Sequence, residues 1–132
     1  MPWVEVLAAF AVSHLAGDFL LQTEWQAQNK TGGLRHRGPA LRALLTHCAT
    51  YLLAFVPALV WLHDDLGAVV LWVAALIFVA HMLQDDGWVI PAYMRKVKHT
   101  EPDEHPLLAM AVDQSAHALV LMAGPRSSVH LL

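Results

Sequence analysis

Charge is what this chain lacks. Only 14% of its 132 residues are Asp, Glu, Lys or Arg, against about 25% in an ordinary soluble domain. That is too little charged surface for a water-soluble protein of this size. The 57% share of hydrophobic residues and the mean hydropathy of +0.46 point to a membrane. High hydrophobicity with a net charge of −3 excludes a disordered chain. A single cysteine, Cys48, excludes an intrachain disulfide framework. Eight basic against eleven acidic residues leave no basic excess, so nucleic acid is not an expected partner. The length accommodates one domain over residues 1–132. Histidine is the residue in unexpected supply, at nine.

A transmembrane helix needs roughly 17–25 mostly apolar residues. Ala43 to Leu62 and Leu66 to Gln84 meet that need without a single Asp, Glu, Lys or Arg. Two flanking segments are also expected to span, although Trp3 to Gln22 carries Glu5, His14 and Asp18, and Pro106 to Gly124 carries Asp113 and His117. The expected fold is therefore all-α, a polytopic four-transmembrane-helix bundle with spans over residues 3–22, 43–62, 66–88 and 106–124. The first segment lacks a basic leader and a clear cleavage site, so it reads as a span rather than a signal peptide. Pro57 and Pro91 are candidate kinks. Residues 31–39 and 98–106 read as connecting loops.

Basic residues in short loops set orientation. Lys30, Arg35, Arg37 and Arg42 follow the first span, and Arg95, Lys96 and Lys98 follow the third, whereas His63-Asp64-Asp65 between the second and third has neither Lys nor Arg. Both basic loops are expected to face the cytoplasm, with both termini outside and Trp3, Trp61, Trp88 and Tyr93 as interfacial aromatics.

Ionisable side chains within a span cost about 2.5–3.5 kcal/mol each on insertion scales and by default mark function. Here they recur at one spacing: His14 with Asp18, His81 with Asp85, and Asp113 with His117 are each four residues apart, and the second span supplies His47. Residues at i and i+4 share a helix face, close enough for both side chains to reach one cation. The order reverses to Asp-then-His in the fourth span, as a site shared between antiparallel helices requires. Four-helix bundles assemble metal sites from imidazoles and carboxylates in this way. His14, Asp18, His47, His81, Asp85, Asp113 and His117 are thus the candidate ligands of one or two divalent transition-metal ions, with zinc, iron and manganese suited to these donors. Asp18 or Asp113 is the candidate catalytic base toward metal-bound water. Asp86 lies about a quarter-turn round the helix from Asp85 and is less well placed. Cys48 is positioned to adjoin the site without being needed in it, and His36, His63, His99, His105 and His130 are expected to be solvated.

These features fit several functions. The first is a metal-dependent membrane hydrolase acting on a lipid or another amphiphile at the cytoplasmic leaflet. The alternatives are a membrane protein that binds or transports metal ions or protons, which with four spans implies a homo-oligomer, and an assembly or regulatory subunit whose polar pairs only glue helices together. A soluble bundle with a buried metal site is disfavoured by the low charge content.

The string His14-Leu15-Ala16-Gly17-Asp18-Phe19-Leu20-Leu21-Gln22-Thr23, continuing to Trp25, Ala27 and Lys30, resembles the opening of a family of small bacterial membrane proteins, domain of unknown function 3307. The likeness extends to His47, to His81 with Asp85, and to Asp113-Gln114 with His117. It implies a bacterial inner-membrane location and names no reaction. That family usually follows its third-span histidine with an Asp and a basic residue, whereas here Asp85-Asp86-Gly87-Trp88 stands in that place, which leaves Asp85 and Asp86 as alternatives. More distantly, the pattern looks like that of inner-membrane proteins described as metal-dependent hydrolases.

Overall fold

A computed structural model describes residues 2–129, with side chains as far as residue 123; His130 lies outside the described residues. All regular structure among them is helical. α1 (Trp3–Leu15) runs on into a π-helical turn (Ala16–Leu20), and two short helices follow, α2 (Glu24–Asn29) and α3 (Gly33–His36). α4 (Gly38–Leu66) is joined by a 3-10 turn (Gly67–Val69) to α5 (Val70–Asp85). α6 (Val89–Tyr93) also ends in a π-helical turn (Met94–Lys98), and a 3-10 turn (Pro102–Glu104) leads to α7 (Pro106–Val129).

Three helical stretches are long and apolar enough to cross a membrane: Trp3–Leu20, Gly38–Asp85 and Pro106–Ala123. The middle stretch, at 48 residues, folds back on itself, because His47 of α4 meets His81 of α5 while the chain reverses at Gly67–Val69. Many apolar side chains point outward, among them Leu20, Leu71 and Trp72, each at least 70% exposed, an arrangement suited to lipid contact and not to water.

The interior is divided along its length. Buried residues of α4 recur every three or four positions, from Ala43, Leu44, His47, Cys48 and Tyr51 to Phe55, Ala58, Leu62 and Leu66, which is one helix face. α5 repeats the pattern with Val70, Val73, Ile77, His81 and Asp85. Toward the α4–α5 turn these faces form an apolar core with Val6, Phe10 and Leu121. Toward the opposite end the same faces carry His47, His81 and Asp85.

Several boundaries differ from the sequence expectation. His63, Asp64 and Asp65, expected in a loop, continue α4, since nothing before Gly67, with φ of 55°, breaks the helix. Leu66 belongs to α4 and not to the third span, and α5 stops at Asp85, because Gly87 turns the chain with φ of 85°. Pro91 therefore sits in the first turn of α6, where its missing N–H costs little, rather than kinking the third span. Pro57 is accommodated within a continuous α4. The expected loop at 31–39 contains α3 and the first two residues of α4, Gly38 and Pro39.

Candidate metal centre

α1 is pressed onto α4 by a close approach at Gly17, where a Cβ would lie 2.6 Å from Tyr51 Cδ2 and 3.2 Å from Tyr51 Cα. Gly17 lies in the π-helical turn that begins at Ala16, and the same turn carries the next residue, Asp18, toward α4 and α5. π-helical turns of this kind often accompany functional side chains. Asp18, His47, His81 and Asp85 are all buried and bring one donor atom each to a common point.

The donor atoms lie close enough together for one ion to reach them all. His47 Nε2 lies 2.8 Å from His81 Nε2, 2.9 Å from Asp85 Oδ2 and 3.3 Å from Asp18 Oδ1. His81 Nε2 lies 3.3 Å from Asp85 Oδ2 and 3.5 Å from Asp18 Oδ1. Metal bonds of about 2.0–2.1 Å in a tetrahedron place the donors roughly 3.3–3.4 Å apart. Asp18 Oδ1 is buried and accepts no protein hydrogen bond, a costly state for a carboxylate oxygen that a cation at this point relieves. His47 Nδ1 is also buried without a hydrogen-bond partner.

Asp85 faces two ways. Its Oδ2 belongs to the point just described, while its Oδ1 lies 3.3 Å from His117 Nε2, and Asp85, Asp113 and His117 form a second group of converging donors. Hydrogen bonding gives His117 a different part. Its Nδ1–H donates to the Asp113 carbonyl at 2.8 Å, so in the neutral ring Nε2 is the acceptor, and it faces His81 Nδ1 at 3.1 Å. With His117 neutral, His81 would carry its proton on Nδ1 and turn the Nε2 lone pair to the four-donor point. Metal-binding histidines are commonly oriented by a hydrogen bond at the other ring nitrogen.

His14, expected among the ligands, is not in either group of converging donors. Both of its ring nitrogens are engaged: Nε2 donates to Gln114 Oε1 at 2.8 Å, and Nδ1 accepts from the Tyr51 hydroxyl at 2.9 Å. Its partner in the spacing pattern, Asp18 Oδ2, stands 3.7 Å from Nδ1. Gln114 Nε2 in turn donates to Asp18 Oδ2 at 3.4 Å and Asp113 Oδ2 at 3.3 Å, leaving Asp18 Oδ1 directed at the histidines. Cys48 is buried beside His47 and is not in either donor group. Histidines 36, 63, 99 and 105 are exposed and belong to neither donor group.

The alternative between Asp85 and Asp86 has a structural answer. Asp86, although buried, points its Oδ1 at the Leu34 N–H, 2.9 Å away, and its backbone carbonyl accepts from the Gly32 N–H at 2.7 Å. It fastens the loop after α2 instead of joining the donors. Three neighbours of the centre were not singled out by the spacing rule: Lys30, bonded to Asp85 Oδ2, Tyr51, and Gln114. Tyr51 is four residues after His47 and so shares its face, a spacing applied to His and Asp but not to aromatics. From sequence Lys30 is read as an orientation signal and as part of the family string, not as a neighbour of the site.

A family model for a protein of unknown function, DUF3307, matches residues 6–130. The chain belongs to the DUF3307 family. No curated protein and no solved structure matches it. In this DUF3307 chain the match covers every residue of both donor groups.

Proposed function

We propose that this DUF3307 protein is an integral membrane protein that reversibly binds one divalent transition-metal ion through Asp18, His47, His81 and Asp85. The observation that carries this reading is the set of donor separations, 2.8–3.5 Å between atoms drawn from three helical segments. Zinc, iron and manganese are the metals suited to two imidazoles and two carboxylates. One divalent ion also offsets the charge of Asp18 and Asp85, which matters where charge is expensive. His117 orients His81, and His14, Tyr51 and Gln114 hold Asp18. In a membrane, α1, α4, α5 and α7 would make four crossings, with the centre in the cytoplasmic half of a bacterial inner membrane, both termini outside, and lipid around the bundle. If the ion is transported, four crossings per chain call for a homo-oligomer.

A second reading, metal-dependent hydrolysis of a lipid or amphiphile, is favoured by Asp113. Its side chain is 31% exposed next to the buried donors, a suitable place for a base acting on metal-bound water, whereas Asp18 is occupied as a ligand. Metal analysis of protein purified in mild detergent tests the primary reading. One equivalent of ion is expected in the wild type and none in His47→Ala or His81→Ala; folded wild-type protein that takes up no divalent metal on reconstitution overturns it. Turnover of a phosphoester or lipid that is lost in Asp113→Asn, with the ion retained, would establish the second.

A further inference from the structure

Lys30 is the one ammonium among the described groups that reaches the donors. Its Nζ donates to Asp85 Oδ2 and to Gln22 Oε1, and its side chain is only 16% exposed. Asp85 Oδ2 is also the oxygen that His47 and His81 address, so the ammonium and a metal ion would share one acceptor. The surrounding loop is built to keep it there. A reciprocal cap between Thr23 and Gln26 starts α2, Asp86 grips Gly32 and Leu34, and Thr31 packs against Gly87, where a Cβ would sit 2.8 Å from Thr31 Cγ2. These contacts, on both sides of Lys30, fix where its side chain enters.

Resting on the metal-binding reading, we propose that Lys30 is an internal competitor for the cation site, a fixed positive charge on Asp85 that weakens metal binding and keeps loading reversible. A centre meant to hold its ion permanently gains nothing from a resident cation on a ligand oxygen. A centre that must exchange its ion gains two things. The repulsion lowers affinity, and the ammonium remains to partner Asp85 when the ion leaves, so that a buried carboxylate is never left alone. Gln22 offers Lys30 a second acceptor to share its hydrogen bonding while the ion holds Asp85.

The two substitutions at this contact therefore act in opposite directions, which a purely structural role for Lys30 does not predict. Cobalt(II), whose visible absorption reports nitrogen and oxygen coordination, is titrated against a competing chelator into detergent-purified full-length protein. Lys30→Gln should bind one cobalt ion about tenfold more tightly than wild type, a conservative share of the repulsion between charges a few ångströms apart. Lys30→Arg, which keeps the charge, should stay close to wild type. Gln22→Ala, which leaves Asp85 as the acceptor of Lys30, should bind more weakly. Unchanged or weaker affinity in folded Lys30→Gln overturns the proposal while leaving the metal-binding reading intact. Wild-type protein that binds no cobalt overturns both. If Lys30→Gln does not fold, Gln22→Ala decides: weaker binding supports competition, and equal or tighter binding overturns it.

Discussion

Tyr51 lies flat on His81, with ring centroids 3.4 Å apart and planes 3° from parallel. Its hydroxyl meanwhile bonds His14 Nδ1 at 2.9 Å. One side chain of α4 thus backs a candidate donor on α5 and reaches a support on α1, while His47, one turn earlier, is a candidate donor of its own. Rings held by packing and by hydrogen bonds at the far nitrogen keep a donor set in place before the ion arrives.

The two functions of Tyr51 separate by substitution. Tyr51→Phe keeps the stack and loses the hydroxyl, so the ion should be retained with affinity reduced a few-fold and stability reduced by about 1 kcal/mol. Tyr51→Ala removes the platform and opens a cavity, with an expected loss of about 3–5 kcal/mol. Thermal unfolding in detergent beside metal titration checks both; equal behaviour of the two variants would count against a packing role for the ring.

Gly17 sets the distance between α1 and α4. A methyl group there meets Tyr51 Cδ2 at 2.6 Å and its Cα at 3.2 Å, and the backbone of α4 cannot yield as a flexible side-chain end would. Gly17→Ala should push the π-helical turn outward, carry Asp18 off the common point, and cost most of the metal affinity while membrane insertion and helix content by circular dichroism stay near wild type. Full affinity in Gly17→Ala would show that Asp18 is not positioned by this contact.

The helical class was legible from the long apolar spans, His81 with Asp85 from i, i+4 spacing on one helix face, and Asp18 and His47 as ionisable groups within such spans. Spacing also drew in His14, which lies outside both donor groups, since spacing tells which residues share a face and not whether their donor atoms are already committed. His14 is committed to Tyr51 and Gln114, partners 37 and 100 residues away in sequence. Lys30 was hidden for a related reason. A lysine in a basic loop is ordinarily solvated, and its inward turn depends on Asp86 and Gly87, more than fifty residues further on.

Adjacent aspartates provide a matched pair. Asp85→Asn removes a ligand charge and leaves Lys30 without its carboxylate, so it should abolish bound metal. Asp86→Ala leaves the Leu34 N–H without its acceptor, at about 1–3 kcal/mol, and loosens the Lys30 loop, yet all four donors remain. It should keep one ion per chain at a lower unfolding midpoint. Loss of the ion in Asp86→Ala with no loss in Asp85→Asn would exchange the roles assigned to them.

Orientation provides the last test. Seven of the eight Lys and Arg residues fall within residues 30–42 and 95–98, both at the end of the bundle that carries the His/Asp cluster. The opposite turn, after His63-Asp64-Asp65, has none. If α4 and α5 each cross the membrane, the basic loops share one face and the turn lies on the other, and the basic loops face the cytoplasm. In a Cys48→Ser background, Asp64→Cys should react with an impermeant thiol reagent in intact cells, whereas Arg37→Cys and His99→Cys should react only after permeabilisation. Labelling of all three in intact cells would remove the four-crossing arrangement. Labelling of Arg37→Cys and His99→Cys alone would keep the four crossings, invert them, and move the metal centre to the outer leaflet.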